Sequence, residues 1–435
     1  MGENPVETLF LESSNDELPA HEDDHDSSFK QRESILTTHF SSLTDHRAAY
    51  NWISAHFIAY LLLHCVNYVL NPQDWYSDTE FLQKVFHHFN IALGLEIFLL
   101  LWSSLQWFLK TKSIMYPCTG IVSWIIFIVI PILVRLKFDM GFILSTAISM
   151  EQVRVAMKMC SFLVETGKNG KDQSATFSQF IYFWFAPTLL YRSSYPRTKN
   201  RSWLRCLVHF IEFFACCFVL GSFFCRTILD GIGNPKNHPL RIDDLPKTLI
   251  QIMLIATCSL LVSWYGFMHC WLNGWAEALQ FGDRFFYGSW WLCRSSIVYF
   301  RLWNRVIHEW LKRYIYSPIR EKFGPKFAAI LTLIVSAIGH EYFVSYALGG
   351  FMPLISLMYV GMCPALLFQS KTSTKNEESR FNSSLLFGKT IGWIMMITLF
   401  GLEGYSRNNC PASDQNHPLW NFFVPRLFTC IEFRE

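Results

Sequence analysis

The sequence predicts an all-α, polytopic membrane protein with about nine transmembrane helices. Composition is the first reason. Of 435 residues, 51% are hydrophobic, 17% aromatic and only 16% charged, against about 25% charged in an ordinary soluble domain. The spacing of the apolar runs is the second. A spanning helix needs about 20 mainly apolar residues, and such runs follow one another from residue 50 to residue 404. The distribution of Lys and Arg is the third, and it assigns the sides. A formal net charge of +3 offers no basic surface of the kind nucleic-acid binding needs, so no nucleic-acid partner is expected.

Residues 1–48 lack a long apolar run and carry the acidic stretch HEDDHD at 21–26. They are expected to form a disordered cytosolic tail, with no apolar segment of the signal-peptide kind. Residues 49–405 form the transmembrane domain. Its candidate spans are 50–70, 86–109, 120–137, 139–164, 204–229, 247–273, 326–349, 351–369 and 384–404. The run at 139–164 is the weakest, because Glu151, Arg154 and Lys158 interrupt it; such a helix also fits a position lying on the bilayer surface. Segments 177–191 and 285–316 are too polar or too interrupted to span and read as re-entrant or interfacial. No internal repeat is visible, which counts against a transporter built from inverted repeats.

Basic residues cluster after the fourth span (Lys168, Lys171, Arg192, Arg197, Lys199, Arg201), after the sixth (Arg301, Arg305, Lys312, Arg313, Arg320, Lys322, Lys326) and after the eighth (Lys371, Lys375, Arg380). With about nine spans these loops share the side of the N-terminus, which is therefore cytosolic. The polar tail at 406–435 then faces the lumen. Thirteen cysteines occur, none as C-x-x-C, so no zinc site is expected. Cys410 and Cys430 lie in the lumenal tail, where an oxidising compartment favours a disulfide; two free thiols are the other reading.

Two segments carry chemistry-bearing residues. In Arg301–Lys312, residues three and four apart share a helix face, so Arg301, Asn304, His308 and Lys312 line one face. A basic, hydrogen-bonding strip at the cytosolic boundary suits an anionic, phosphate-bearing ligand; it equally suits a helix whose cations snorkel to lipid head groups. Farther on, His340 stands in the middle of an apolar run, with Ser336 four residues earlier and Glu341 beside it. Ionisable groups at membrane depth are costly and mark functional candidates, and a neutral imidazole can take a hydroxyl proton near neutral pH. No G-x-S-x-G elbow and no H-E-x-x-H metal motif is present. The chemistry expected is direct transfer with a base, without a bound metal or other cofactor.

The blocks FAPTLLYRSSYPRT (185–198), HCWLNGWAEALQFGDRFFYGSWW (269–291), WNRVIHEWL (303–311) and SAIGHEY (336–342), with Cys410 and Cys430, resemble the membrane-bound O-acyltransferase family, in its sterol O-acyltransferase branch and close to diacylglycerol O-acyltransferase. The resemblance runs from Phe185 to the C-terminus. It implies helices arranged around a catalytic tunnel, acyl-CoA as co-substrate, and transfer of a long-chain acyl group to the 3β-hydroxyl of a sterol. It also implies residence in the endoplasmic reticulum membrane and a homodimer or homotetramer. By position, His340 matches the family's catalytic histidine and Asn304 its partner; Arg301, His308, Tyr316, Lys326 and Ser336 match positions associated with acyl-CoA. Ser289 and Leu292 stand where the family carries Asp and Asn. Diacylglycerol or another lipid alcohol as acceptor, a non-catalytic lipid-binding relative, and a transporter remain open on these residues.

Overall fold

The structure, a computed structural model, describes residues 29–37, 86–112, 117–138, 140–168, 175–221, 256–292 and 296–368, with single positions and short stretches within 59–83 and 392–426. Helices dominate. They are α1 (Phe89–Thr111), α2 (Pro117–Lys137), α3 (Phe142–Lys168), α4 (Phe177–Phe185), α5 (Trp203–Val219), α6 (Leu272–Ala278), α7 (Ser296–Trp303), α8 (Arg305–Leu311), α9 (Ser317–Phe323), α10 (Pro325–Leu348) and α11 (Leu354–Phe368). A wide π-helical turn, Tyr265–Trp271, leads into α6, and another, Lys312–Tyr316, joins α8 to α9. Among the described residues, only isolated bridges of β type occur.

Among the described residues three helices are long and apolar enough to cross a bilayer: Phe89–Thr111, Thr119–Lys137 and Pro325–Leu348. They coincide with the runs expected at 86–109, 120–137 and 326–349. The runs expected at 50–70 and 384–404 lie largely outside the described residues, as do Cys410 and Cys430, so neither the count of about nine nor that cysteine pairing is established. The faces confirm a lipid setting. On α1, Ala92, Leu95, Leu99, Trp102, Ser103 and Gln106 are buried, while Leu93, Ile97, Leu101, Leu105 and Phe108 are exposed. An apolar stripe of that size facing outward is tolerable only where the solvent is itself apolar.

The weakest of the expected spans is the helix on which others pack: α3 lies against both α1 and α10. Its polar residues serve the interior. Pro131 in α2 has no N–H, which leaves the carbonyl of Phe127, four residues earlier, without its helical donor. Gln152 of α3 supplies one, its Nε2 donating to Phe127 O at 2.8 Å, and its Oε1 accepts from Tyr342 of α10 at 2.6 Å. Lys158 is buried, and its Nζ donates to the carbonyls of Trp184 (3.0 Å) and Ala186 (2.8 Å). Those carbonyls end α4, where a cation both fills open acceptors and opposes the helix dipole. Glu151 and Arg154 pair along α3. Polarity that argued against a span on sequence is therefore a set of internal ties.

Residues 29–37 depart from the expectation for 1–48. They are not a free tail but an extended strap ending in a helical turn, docked on the segment 281–287. The reason is local: the acidic run ends at Asp26, and FKQRESIL (29–36) supplies Phe29, Ile35 and Leu36 to the aromatic cluster built from Trp264, Phe281, Phe286, Tyr287, Trp290 and Tyr299.

Candidate active site

His340 lies fifteen residues into α10 from Pro325, about 22 Å along the axis at 1.5 Å per residue. The helix runs about 12 Å farther to Leu348, so the ring stands well inside the span and away from both of its ends. The ring is half-buried. Its Nδ1 sits 2.7 Å from the carbonyl oxygen of Ser336. A carbonyl only accepts, so Nδ1 carries the proton and Nε2 holds the free lone pair. That tautomer is the one a base needs, and it is fixed by the helix's own backbone. Phe343 and Tyr359 bound the ring, each with centroids 5.7 Å away, and Tyr359 OH is 3.2 Å from Ser336 Oγ. Sequence reading gave Tyr359 no role; a lone phenol within the apolar run LISLMYVGM was the available signal.

Glu341 is not the partner of His340. One residue on is about 100° around a helix, and its carboxylate turns to α11, where Oε2 accepts from Ser356 N and Ser356 Oγ, both at 2.8 Å. It satisfies two donors in the first turn of α11, the end at which a carboxylate is favoured.

Asn304 stands where the helical path breaks. It is the N-cap of α8, with φ −146° and ψ 87°, and its Oδ1 accepts from Ile307 N at 3.1 Å. The amide oxygen is thus committed to the cap, and the Nδ2 donors are left for another acceptor. The break is held from outside. Gly288 N donates to Leu302 O at 2.8 Å and Arg305 N donates to Phe286 O at 3.0 Å, so two backbone bonds bracket Trp303 and Asn304. A Cβ on Gly288 would lie 2.6 Å from Leu302 Cδ2 and 3.1 Å from Leu302 Cβ. Gly288→Ala is therefore expected to push α7 away from the loop and lower acyl transfer about tenfold or more; overpacking costs about 1–3 kcal/mol, and each 1.4 kcal/mol is tenfold. Unchanged activity in that variant would contradict the bracket. Among the described residues no hydrogen bond joins Asn304 to His340.

The expected strip does not lie on one continuous helix face: the path breaks at Asn304, so Arg301 belongs to α7, His308 to α8 and Lys312 to the π-helical turn. Arg301, Arg305 and His308 are all within the protein, and Arg305 pairs with Glu309 at 3.1 Å. His308 lies outside the membrane-spanning helices. Burial, then the neighbouring charges of Arg305, Lys312 and Arg301, drive its pKa down to about 3. Its imidazole is neutral at physiological pH, so it can accept or donate a hydrogen bond but adds no fourth charge. The sign follows: the unfolded chain takes a proton there near pH 6.5 and the folded chain does not. This site's contribution to stability is thus complete above about 6.5 and declines as pH falls toward about 3. Melting temperature measured against pH should fall less steeply over that window in His308→Asn than in the parent chain.

The opposite face of this region is fastened to α3. Trp310 Nε1 donates to Met157 O (2.8 Å), Tyr314 OH lies 3.0 Å from Ser161 Oγ, and Arg313 pairs with Glu165 (3.0 Å). Met157, Ser161 and Glu165 recur every four residues, one stripe of α3. Tyr316 is buried at the end of the π-helical turn, which lies against α10. Lys326 is exposed on the first turn of α10, about 21 Å from His340 along the axis. Thus Ser336 stands with His340, Arg301 and His308 stand together, and Lys326 stands apart at the helix mouth. Ser289 is half-buried in the bracketing loop. The Leu292 side chain lies outside the described residues.

Two other features belong elsewhere. A groove of about 530 Å³ between α1 and α2, lined by Phe98, Leu101, Trp102, Leu105 and neighbours, faces lipid and includes none of these residues. His209, Glu212 and Cys270 bring their polar atoms within 4.8 Å of one another. Glu212 Oε2 lies 3.5 Å from His209 Nδ1 and accepts from Cys270 Sγ at 3.5 Å, so the carboxylate ties the thiol and stands beside the imidazole.

The profile of the MBOAT, membrane-bound O-acyltransferase family, matches residues 44–402. The chain is 33% identical over 293 residues to sterol O-acyltransferase 1 of Mus musculus, covering 65% of this chain and 54% of that protein. It is 32% identical over 297 residues to sterol O-acyltransferase 2 of Homo sapiens, covering 64% and 55%. Against sterol O-acyltransferase 2 of Mus musculus it is 31% identical over 320 residues, covering 70% and 59%. The chain thus spans little more than half the length of the curated relatives it matches.

Proposed function

We propose, from the premise that this chain belongs to the membrane-bound O-acyltransferase family, that it transfers a long-chain fatty acyl group from acyl-CoA to the 3β-hydroxyl of a sterol. The names of its relatives support the acceptor. The observation that carries the chemistry is the hydrogen bond from His340 Nδ1 to Ser336 O, which leaves Nε2 as a base at membrane depth. In this reading Nε2 takes the sterol hydroxyl proton as the oxygen attacks the thioester carbonyl. The Nδ2 donors of Asn304 stabilise the oxyanion that forms, the role for which a pre-placed amide is most effective. The C–S bond then breaks, CoA leaves as the thiolate, and the proton held by His340 passes to it or to water. Arg301 and neighbouring cations hold the phosphates of CoA on the cytosolic side, with neutral His308 as a hydrogen-bonding group, and Lys326 marks the entrance. Tyr316 and Ser336 line the path between.

No cofactor enters this scheme; acyl-CoA is the co-substrate. The proposed setting is the endoplasmic reticulum membrane, with a cytosolic N-terminus, a lumenal C-terminus and a homodimeric or homotetrameric assembly. The bilayer concentrates both the sterol and the acyl chain, which lowers the entropic part of the barrier. The test is a competition: the purified chain in lipid nanodiscs receives radiolabelled oleoyl-CoA with equal amounts of sterol and diacylglycerol. Label should collect in steryl oleate with equimolar release of CoA. Label in triacylglycerol would assign the other acceptor, and label moved across the membrane as intact acyl-CoA would make the protein a transporter.

A further inference from the structure

We propose that the strap at residues 29–37 is a working part of the active site, and that Arg32 and Ser34 are positioning residues for Asn304. The inference deepens the function proposed above and rests on it for its activity arm alone. Three sets of contacts carry it, in series.

The strap joins the loop 281–287 by its backbone. Arg32 N donates to Gly282 O at 2.8 Å, and Arg284 N donates to Arg32 O at 2.9 Å. The same loop also pairs with the 196–198 segment: Gly282 N donates to Pro196 O (2.8 Å) and Thr198 N to Gln280 O (3.0 Å). The loop is thus tied by its backbone to two other stretches of chain, and the strap pairs with it as an added strand would.

Two side chains of the strap lock that register. Arg32 meets Asp283 bidentately, Nε to Oδ1 at 2.9 Å and Nη2 to Oδ2 at 2.7 Å. Asp283 is 7% exposed, so without Arg32 its carboxylate would lose its main partner. Two residues on, Ser34 is 1% exposed. Its Oγ lies 2.9 Å from Tyr287 OH and 3.4 Å from His269 Nδ1, and those two groups are 2.6 Å from each other. The hydroxyl closes a buried polar cluster whose members belong to three separate stretches of chain.

The loop in turn holds the break at Asn304. Phe286 O and Gly288 N make the two backbone bonds that bracket Trp303 and Asn304, and they flank Tyr287, the residue that Ser34 holds. Phe285 completes the link. Its ring has the Arg32 guanidinium 5.1 Å away and the Arg305 guanidinium 4.4 Å away, so one aromatic face-pair ties the strap to the first residue of α8. Each contact is a cation–π interaction of the kind favoured for Arg. Freed of the strap, the loop loses its edge hydrogen bonds, its ion pair and one guanidinium together, and the bracket loosens while the helices beyond it keep their own packing on α3.

The experiment pairs charge exchange with hydrogen–deuterium exchange on the full chain in nanodiscs. Arg32→Asp should speed amide exchange in 282–288 and also in 302–306 by about tenfold or more, the scale of a lost charge-assisted pair. It should lower the turnover of acyl transfer by a like factor with little change in KM for oleoyl-CoA. Ser34→Val should act in the same sense. The double variant Arg32→Asp with Asp283→Arg should restore both exchange protection and turnover, which a general folding defect would not. Faster exchange confined to residues 29–37, or full turnover with the strap released, would overturn the proposal. The exchange arm needs no substrate, so a chain that makes no steryl ester would defeat the function proposed above while leaving the docking result to be read on its own.

Discussion

Asn304→Asp is expected to lower steryl ester formation by about 10²–10³ while leaving stability nearly unchanged. Aspartate keeps the oxygen that Ile307 N bonds, and it is among the preferred N-cap residues. What it lacks is the amide donor, and removing one oxyanion donor costs a factor of that size. Asn304→Ala removes the cap as well, so a further loss of about 1 kcal/mol of stability should appear. Comparing the two separates the roles: rate and thermal midpoint should fall together in the alanine variant and apart in the aspartate variant. Equal activity of Asn304→Asp and the parent chain would confine Asn304 to a capping role.

The sequence was most legible where one residue type means one thing. Apolar runs of bilayer length marked α1, α2 and α10 to within a few residues. His340 stood out as an ionisable group in the middle of such a run, whereas the break at Asn304 did not show: helical spacing carried the reading straight through from Arg301 to Lys312, and the cap of α8 appears only in the structure. What was hidden depended on distant partners. The polar residues of α3 looked like defects in a span, because Phe127 O, Trp184 O and Ala186 O, which use them, come from other helices. Glu341 looked like a companion to His340, since adjacency in sequence does not show that the two leave α10 in different directions. Residues 29–37 were assigned to an unfolded tail because their acidic neighbours dominate a composition average. Their docking needs Asp283, some 250 residues away, and no local pattern encodes that pairing.

His340→Ala is the second large effect and bears on the centre of the account. The ring is held by one backbone bond and two aromatic neighbours, and no partner in the helical scaffold depends on it beyond those contacts. Its removal should therefore leave the helices assembled. Loss of a general base typically costs about 10²–10⁴ in rate. Acyl-CoA binding, which the reading assigns to Arg301 and its neighbours on the cytosolic side, should persist. The decisive measurement takes matched amounts of parent and His340→Ala chain in sterol-containing nanodiscs and follows both oleoyl-CoA binding and steryl oleate formation. The account predicts undiminished binding with ester formation reduced by at least about a hundredfold; ester formation at the parental rate would contradict it.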